Sequence, residues 1–331
     1  MRRSLGLVAL ILAARAAPAL ADPLDLDLEK LGAPSTAVWD EIATRQGLSI
    51  DSAALAASSR QRFALMSSQL GLALSSFILA PASTTGQLGY EIDVETAYAP
   101  VSSKAVGIQE AGLSAGAFPV RSAPPSYLLL PAVHVRKALP MSVELGGRAI
   151  YLNQSQLMAA QAEVKWAINE AWWYLPDFAV RGALTHLFGQ RDLDLSTADL
   201  DLMVGRRFGV GGIMNLTPYA AFRLTWVGAR TDRIEFAPNL SATNQVPFPD
   251  NRDPGQVLAT QAAFPDFKMS NHLFPRYTVG LRLIAGAASL AAEGCYFAGK
   301  TFTGVAGDDA KYPAFAVPST ISASGKLGLE F

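Results

Sequence analysis

Leu88-Gly89-Tyr90-Glu91-Ile92-Asp93-Val94-Glu95-Thr96-Ala97-Tyr98 decides the fold. Leu88, Tyr90, Ile92, Val94, Thr96 and Tyr98 alternate with Gly89, Glu91, Asp93, Glu95 and Ala97. Period two is the repeat of an extended strand, so one face is apolar and the other carries three acids. The apolar face needs either a protein core or lipid against it.

Working outward, the alternation returns. Val133 and Val135 alternate with His134 and Arg136, and Met141, Val143 and Leu145 with Ser142, Glu144 and Gly146, running on to Arg148. Ala162, Val164, Trp166 and Ile168 alternate with Gln161, Glu163, Lys165 and Asn169. Phe178, Val180, Gly182 and Leu184 stand against Ala179, Arg181, Ala183 and Thr185, and Leu200, Leu202 and Val204 against Asp199, Asp201 and Met203. Leu216, Ala220, Phe222, Leu224 and Trp226 oppose Thr217, Tyr219, Arg223 and Thr225. Tyr277, Val279, Leu281 and Leu283 oppose Arg276, Thr278 and Arg282, and Leu290, Ala292 and Tyr296 oppose Ser289, Glu293 and Cys295. Ile321, Ala323, Leu327, Leu329 and Phe331 close the series against Ser322, Ser324, Lys326 and Glu330. Most of these ten candidates approach the 9 to 11 residues that a tilted strand needs to cross a bilayer.

Composition fits the lipid reading. The 331 residues are 50% hydrophobic and 17% charged, with mean hydropathy +0.22, against about 25% charged in soluble domains. Beyond the N-terminus there is no continuous apolar run of helix-spanning length. The nearest, Phe63 to Ala80, is interrupted by Ser67, Ser68, Gln69, Ser75 and Ser76.

Residues 1–21 read as a signal peptide: Arg2 and Arg3, an apolar stretch from Leu5 to Ala14, and a small-x-small site at Ala19-Leu20-Ala21. Without Arg2, Arg3 and Arg15 the 27 basic residues fall to 24 against 28 acidic, a net charge of −4. That balance argues against nucleic acid as a partner. Cys295 is the lone cysteine, so there is no disulfide framework, and with three histidines no metal site or cofactor is expected. Residues 22–85 form a distinct segment, either periplasmic or a plug in a barrel. Pro34-Ser35-Thr36 before Val38-Trp39-Asp40-Glu41-Ile42 opens one helix, and Ser52 to Arg62 is a second. Leu70, Leu72 and Leu74 alternate with Gly71 and Ala73 and could add a strand.

The expected fold is therefore all-β: a transmembrane antiparallel up-and-down β-barrel of about 10–12 strands over residues 86–331. A closed bacterial barrel takes an even number. Prolines 131, 218 and 275 belong at strand ends or bulges, since a closed sheet has no free edge. Connections near 138–140, 170–175, 209–212 and 285–288 are short, while 101–126, 228–272 and 300–318 are long and 186–198 is intermediate. The stretch 153–157 breaks the pattern by being short. Short periplasmic turns and long external loops are the barrel rule. Trp172, Trp173, Tyr174 and Phe331 would mark the periplasmic interface, and Tyr98, Tyr151 and Trp226 the external one.

The last strand, ending on Phe331 after alternating apolar residues, resembles the C-terminal strand of Gram-negative outer-membrane β-barrels. That resemblance implies an outer-membrane location, lipid as surroundings and an assembly signal at Phe331 read by the barrel-assembly machinery. Pro81-Ala82-Ser83-Thr84-Thr85-Gly86, the run Lys165 to Tyr174 and Asn215-Leu216-Thr217-Pro218-Tyr219-Ala220 resemble myxobacterial-type barrels. None of these stretches assigns a catalytic residue.

Acids expected in the lumen are Glu91, Asp93, Glu95, Glu144, Glu163, Asp199, Asp201, Glu293 and Glu330. Bases are Arg136, Arg148, Lys165, Arg181, Arg207, Arg223, Arg276, Arg282 and Lys326. A strong ion filter would show one sign at a constriction, whereas balanced charges pair across strands. Ten to twelve strands lie near the size that side chains fill. The first functional expectation is a narrow pore or facilitator passing a small solute; the alternative is a structural or surface-interaction barrel with a filled lumen. A barrel-borne hydrolase is the third. Gly112-Leu113-Ser114-Ala115-Gly116 matches a nucleophile elbow but lacks its strand–turn–helix context. His134, His186 and His272 stand at no spacing that fixes a triad. The proline-rich loop 231–270 could cover the pore, bind a surface partner or shield the rim.

Overall fold

The computed structural model describes residues 22–102, 118–120, 125–170, 172, 174–237, 260–303 and 312–331. The expected signal peptide, Gly112–Gly116, Trp173 and much of the 231–270 loop lie outside the described residues.

The alternating stretches are ten strands: β1 Tyr90–Pro100, β2 Tyr127–Leu139, β3 Val143–Tyr151, β4 Met158–Ala167, β5 Asp177–Phe188, β6 Leu193–Gly205, β7 Met214–Thr231, β8 Leu273–Ala285, β9 Ala288–Phe297 and β10 Thr320–Glu330. Each pairs antiparallel with its neighbour in the chain, and β1 also pairs with β10, from Glu91↔Glu330 to Tyr98↔Ala323. The sheet is a closed ten-stranded barrel. Closure gives every strand two partners, so lipid meets no unpaired edge.

Side chains sort as the period demands. Ile92, Val94, Leu202, Val279, Leu327 and Leu329 are exposed on the outside, while Glu91, Asp93, Arg136, Asp201, Arg223 and Lys326 are buried inside. An apolar belt around a closed sheet with a charged interior is the surface of an outer-membrane barrel. Tyr98 and Tyr127 stack at 5.0 Å at the long-loop end, and Trp172 and Tyr174 are exposed at the short-turn end.

The awkward prolines sit where a ladder stops. Pro131 pairs with Thr96 of β1, but the β2–β3 pairing begins one residue later, at Ala132↔Ile150. Pro218 lies just beyond Gly205↔Tyr219, and Pro275 just before Arg276↔Phe297. A residue with no N–H fits beyond the end of a ladder.

Two expectations change. The connection read over 186–198 is mostly strand: Leu193, Leu195 and Thr197 continue the inward parity, leaving only residues 189–192 as loop. The Leu70-Leu72-Leu74 stretch is not a strand. It closes a 23-residue helix, α2, Ser52–Leu74, which follows α1, Thr36–Gln46. Leucines at i and i+4 fit either repeat. The expected second helix, Ser52 to Arg62, runs on to Leu74; beyond Arg62 it is buried all round, where an amphipathic stripe fades. Asp51 caps α2 by accepting from the Ala54 N–H at 3.0 Å. Ser59 and Ser68 donate to the carbonyls of Leu55 and Ala64, and Ser76 just beyond the helix does the same to Leu72. This back-bonding lets serines lie buried. It also explains a run too polar to span lipid yet fit for a barrel interior.

Within residues 22–85 the two helices pack on each other and on the barrel wall. α1 sets Val38 and Trp39 against Leu55 and Ala56 of α2, and the Trp39 Nε1 donates to the Ala33 carbonyl at 2.8 Å. At Gly71 a Cβ would sit 2.6 Å from Val227 of β7, so only glycine lets the helix approach the wall. Two outcomes follow. The unboiled chain should migrate as a compact barrel on gels and shift on heating, and an absent shift would contradict closure. Gly71→Leu should keep that shift but lower stability in micelles by about 1–3 kcal/mol, the usual cost of overpacking, measured by thermal unfolding.

Candidate functional site: the occupied lumen

β1 places Glu91, Asp93 and Glu95 one pleat apart, and the neighbouring strands bring cations to them. Lys326 Nζ of β10 lies 2.5 Å from Glu91 and 3.0 Å from Asp93. Arg136 of β2 also pairs with Glu91, and Arg282 of β8 reaches Glu91 at 3.1 Å and Glu330 at 2.6 Å. Further up, Arg148 Nε meets Glu95 at 2.6 Å, and Lys165 meets Glu144 at 2.9 Å. On the opposite wall Asp201 is shared by Arg181 and Arg223 at 2.5 Å each, and Arg181 also holds Glu163 at 2.5 Å. Asp199 accepts from Thr225 at 2.6 Å. Charges in so dry a space persist only when paired and hydrogen-bonded.

Of the eighteen charged residues expected in the lumen, sixteen are buried: Glu91, Asp93, Glu95, Arg136, Glu144, Arg148, Glu163, Lys165, Arg181, Asp199, Asp201, Arg223, Arg276, Arg282, Glu293 and Lys326. Arg207, also placed inward by the alternation, is not in the lumen. β6 ends at Gly205, and Arg207 is exposed in the following turn. Glu330 sits half-buried at the rim on Arg282.

The lumen is not empty between these charges. From the end of α2, the uncharged stretch Ser75–Thr85 runs down it, and wall charges take hold of its backbone. Arg276 Nη1 donates to the Leu72 and Ser75 carbonyls at 3.0 and 2.9 Å. Arg223 donates to the Ser75 carbonyl and, at 3.0 Å, to that of Phe77. Glu293 accepts the N–H groups of Ile78 and Leu79, both at 2.7 Å. Leu79 has φ of 50°, a conformation that costs a non-glycine residue about 1–3 kcal/mol. The Glu293 carboxylate clamps that kink. Lys165 Nζ donates to the Pro81 and Ser83 carbonyls at 3.3 and 3.0 Å. Glu170 accepts from Thr84, and Glu144 from the Thr85 N–H. Apolar contacts complete the fit: Phe77 lies 5.0 Å from the Arg148 guanidinium, and Ile78, Ala80 and Ala82 pack with Ala167, Ala179, Met203, Tyr219 and Ala221.

Both mouths follow from this path. At the long-loop end α2 is roofed by aromatic loop residues. Phe63 stacks on Phe264 at 4.5 Å, and Phe267 on His272 at 3.4 Å. The Tyr312 hydroxyl donates to the Pro265 carbonyl, and burial pushes its pKa well above the usual tyrosine range. Residues 22–31 are stitched to the same loops through Leu24 N–H to the Gln154 carbonyl and Asp27 N–H to the Pro119 carbonyl. At the short-turn end the lumen opens into a cavity of about 780 Å³, lined by Thr84, Met141, Glu170, Trp172, Arg206 and Arg207.

His134, Gln161 and Tyr219 join the site without having been among the charges expected in the lumen, and Ser75–Thr85 belongs to the segment for which a plug was one of two expectations. His134 lies 3.0 Å from Glu95 and 3.2 Å from Glu163. Its position opposite Arg148 in the ladder was the signal available. Asp93, Glu95 and His134 bring one potential ligand atom each within 4.8 Å of one another, but Lys326 and Arg148 already neutralise the two carboxylates. At the rim, His186 Nδ1 faces both Ser196 Oγ at 2.9 Å and Asp194 at 3.6 Å. A relay needs the hydroxyl and the carboxylate on opposite ring nitrogens. His272 is elsewhere, bonded to the Lys268 carbonyl. Cys295 is buried in the wall.

No protein-family model matches the chain, and no curated protein matches it. Among solved structures it is similar to the attachment invasion locus protein Ail of Yersinia pestis, at 8% identity and a TM-score of 0.23 over 74% of this chain and 100% of that one. It is also similar to OmpT, an outer membrane protein of Vibrio cholerae, at 14% and 0.23 over 62% and 56%. A third is the transport unit of the autotransporter AIDA-I from Escherichia coli, at 10% and 0.29 over 82% and 99%. Likenesses this distant carry no argument about activity.

Proposed function

We propose that this chain is an outer-membrane barrel held shut by its own N-terminal segment, a surface barrel with a filled lumen rather than a standing pore. One observation carries the reading. Arg223, Arg276, Glu293 and Lys165, charges that would line a channel, spend hydrogen bonds on the backbone of residues 72–83. A conducting lumen would leave those groups to water and solute. The folded surface at the long-loop end, made by α1, α2 and the aromatic loops, is what such a barrel presents to its surroundings.

A second reading is a narrow pore for small solutes that opens when the segment leaves. It is favoured by the way the segment is held: charges grip carbonyls and N–H groups, contacts for which water can substitute. A hydrolase reading rests only on the rim group His186, Ser196 and Asp194, whose geometry is not that of a relay. The resemblances quoted for the C-terminal strand and for the runs at 81–86, 165–174 and 215–220 extend the proposal to a Gram-negative, myxobacterial-type source.

Planar-bilayer recording tests the closed state. The intact chain should be silent, and Glu293→Gln combined with Arg276→Ala, which frees two holds on the segment, should produce openings. Stable conductance steps from the intact chain would sink the plugged reading. Assembly provides a second test. The Phe331 main chain pairs with Tyr90 through bonds of 2.8 Å in both directions while its ring stays exposed. Phe331→Ser should therefore leave the seam intact but reduce the amount of heat-modifiable barrel reaching the membrane. Unchanged yield would remove the assembly-signal role.

A further inference from the structure

The path of the chain places the two ends of the plug at opposite mouths. β1 starts at the short-turn end, where Tyr90 pairs with Phe331 and Thr84 and Thr85 meet Glu170 and Glu144. α1, α2 and residues 22–31 lie at the other end, among loops that include Gln154, Pro119, Phe264 and Ala314. Long loops mark the external side of a barrel and short turns the periplasmic side. Residues 22–74 are thus on the external side, while the strand they lead into begins on the internal one. Only Ser75–Thr85 connects them, and it does so inside the closed ring.

From this we infer a further activity: the lumen is a conduit for polypeptide, and the barrel has carried its own residues 22–74 to the outer face. The inference rests on the plugged reading and adds to it a direction and a cargo. The chemistry that recognises the cargo is on the walls. Along the segment Arg276 and then Arg223 donate to carbonyls, Glu293 accepts N–H groups, and Lys165 donates to carbonyls again. Backbone groups recur in every peptide, so walls that read them suit an extended polypeptide with little regard to its side chains, and acids and bases on the walls can face the charges of either sign that residues 22–74 carry. A solute filter would instead direct its charges at the open lumen. α2 stays in the mouth because its 23 residues pack on both loops and wall, with Phe63 on Phe264 and Gly71 against Val227. The helix forms the stop that holds the last stretch of cargo in place.

The test uses the full chain in a Cys295→Ser background, in intact Gram-negative cells, with a membrane-impermeant maleimide. Asp40→Cys reports α1, Ser270→Cys the long loops and Ala287→Cys the short turns; all three positions are exposed. Asp40→Cys and Ser270→Cys should label on intact cells to the same extent, and Ala287→Cys only after the outer membrane is permeabilised. A Ser75→Cys, Thr197→Cys pair, whose native hydroxyls lie 3.0 Å apart, should form a disulfide that fixes the segment in the lumen. Labelling of Ser270→Cys but not Asp40→Cys on intact cells would overturn the inference while leaving a barrel of the proposed orientation. Labelling of Ala287→Cys instead of Ser270→Cys would overturn both the orientation and the inference, and silence in bilayers would still support a plug. Failure of the disulfide to form, with Asp40→Cys outside, would show that the segment crossed by another route and overturn the conduit.

Discussion

The pairing of β1 with β10 is the constraint on which the rest depends. Eight register pairs, from Glu91↔Glu330 to Tyr98↔Ala323, turn a ten-stranded sheet into a ring. A ring has no edge, so its outer surface can be apolar and lie in lipid. A ring also has an inside, and period two sends every second residue there. An interior of about this strand number lies near the size that side chains can fill, and charges turned into it must be paired or hydrogen-bonded. Carboxylates on β1 and cations on β2, β8 and β10 are one answer, since each neutralises charge that the next strand introduces. Breaking one such pair would leave a buried charge uncompensated, which is why networks of this kind hold together as units.

The N-terminal segment is the other answer. A run with no charge of its own can enter a charged lumen only if the walls bind what every peptide has. Glu293 takes two N–H groups, and Arg223, Arg276 and Lys165 take carbonyls. Hydrogen bonds to charged groups are worth about 1.5–3 kcal/mol each, enough in aggregate to offset the ordering of an otherwise featureless strand and the left-handed kink at Leu79. Wall charges thus serve twice, pairing with each other at one oxygen or nitrogen and with the segment at the next. Arg223 does both, on Asp201 and on Phe77.

Most of the ring was legible because alternation is local and the two surroundings differ so sharply. Ile92 beside Asp93 can be read without knowing what either touches, and parity places sixteen of the eighteen charged residues named from the strands in the buried interior. Arg207 was misread because parity holds only while a strand continues, and β6 stops at Gly205. The extent of α2 was hidden for the opposite reason, although a plug was one of the two expectations for residues 22–85. α2 is buried on all sides and shows no stripe, its serines are satisfied by their own helix, and Leu70-Leu72-Leu74 fits two repeats equally well. What would have separated them is Asp51, a helix cap 20 residues upstream with nothing to break the helix in between.

The two halves of the plug are held by different physics, and that difference bears on function. In the mouth, α2 is held by apolar and aromatic contact: Phe63 on Phe264, Gly71 against Val227, and Leu70 and Leu74 in the core that Phe267 and Phe315 share. Such contact is non-directional and is lost only by exposing surface to water. In the lumen, Ser75–Thr85 is held mainly by directed bonds from charges to backbone, and water can take over each of them once it enters. The mouth therefore sets how firmly the barrel is shut, and the lumen sets what can lie within it. A seal of this kind has two unequal ends: the Thr84 and Glu170 contact lines the cavity at the short-turn mouth, where water can take it over directly, whereas at the long-loop mouth α2 has to expose apolar surface before water can follow it.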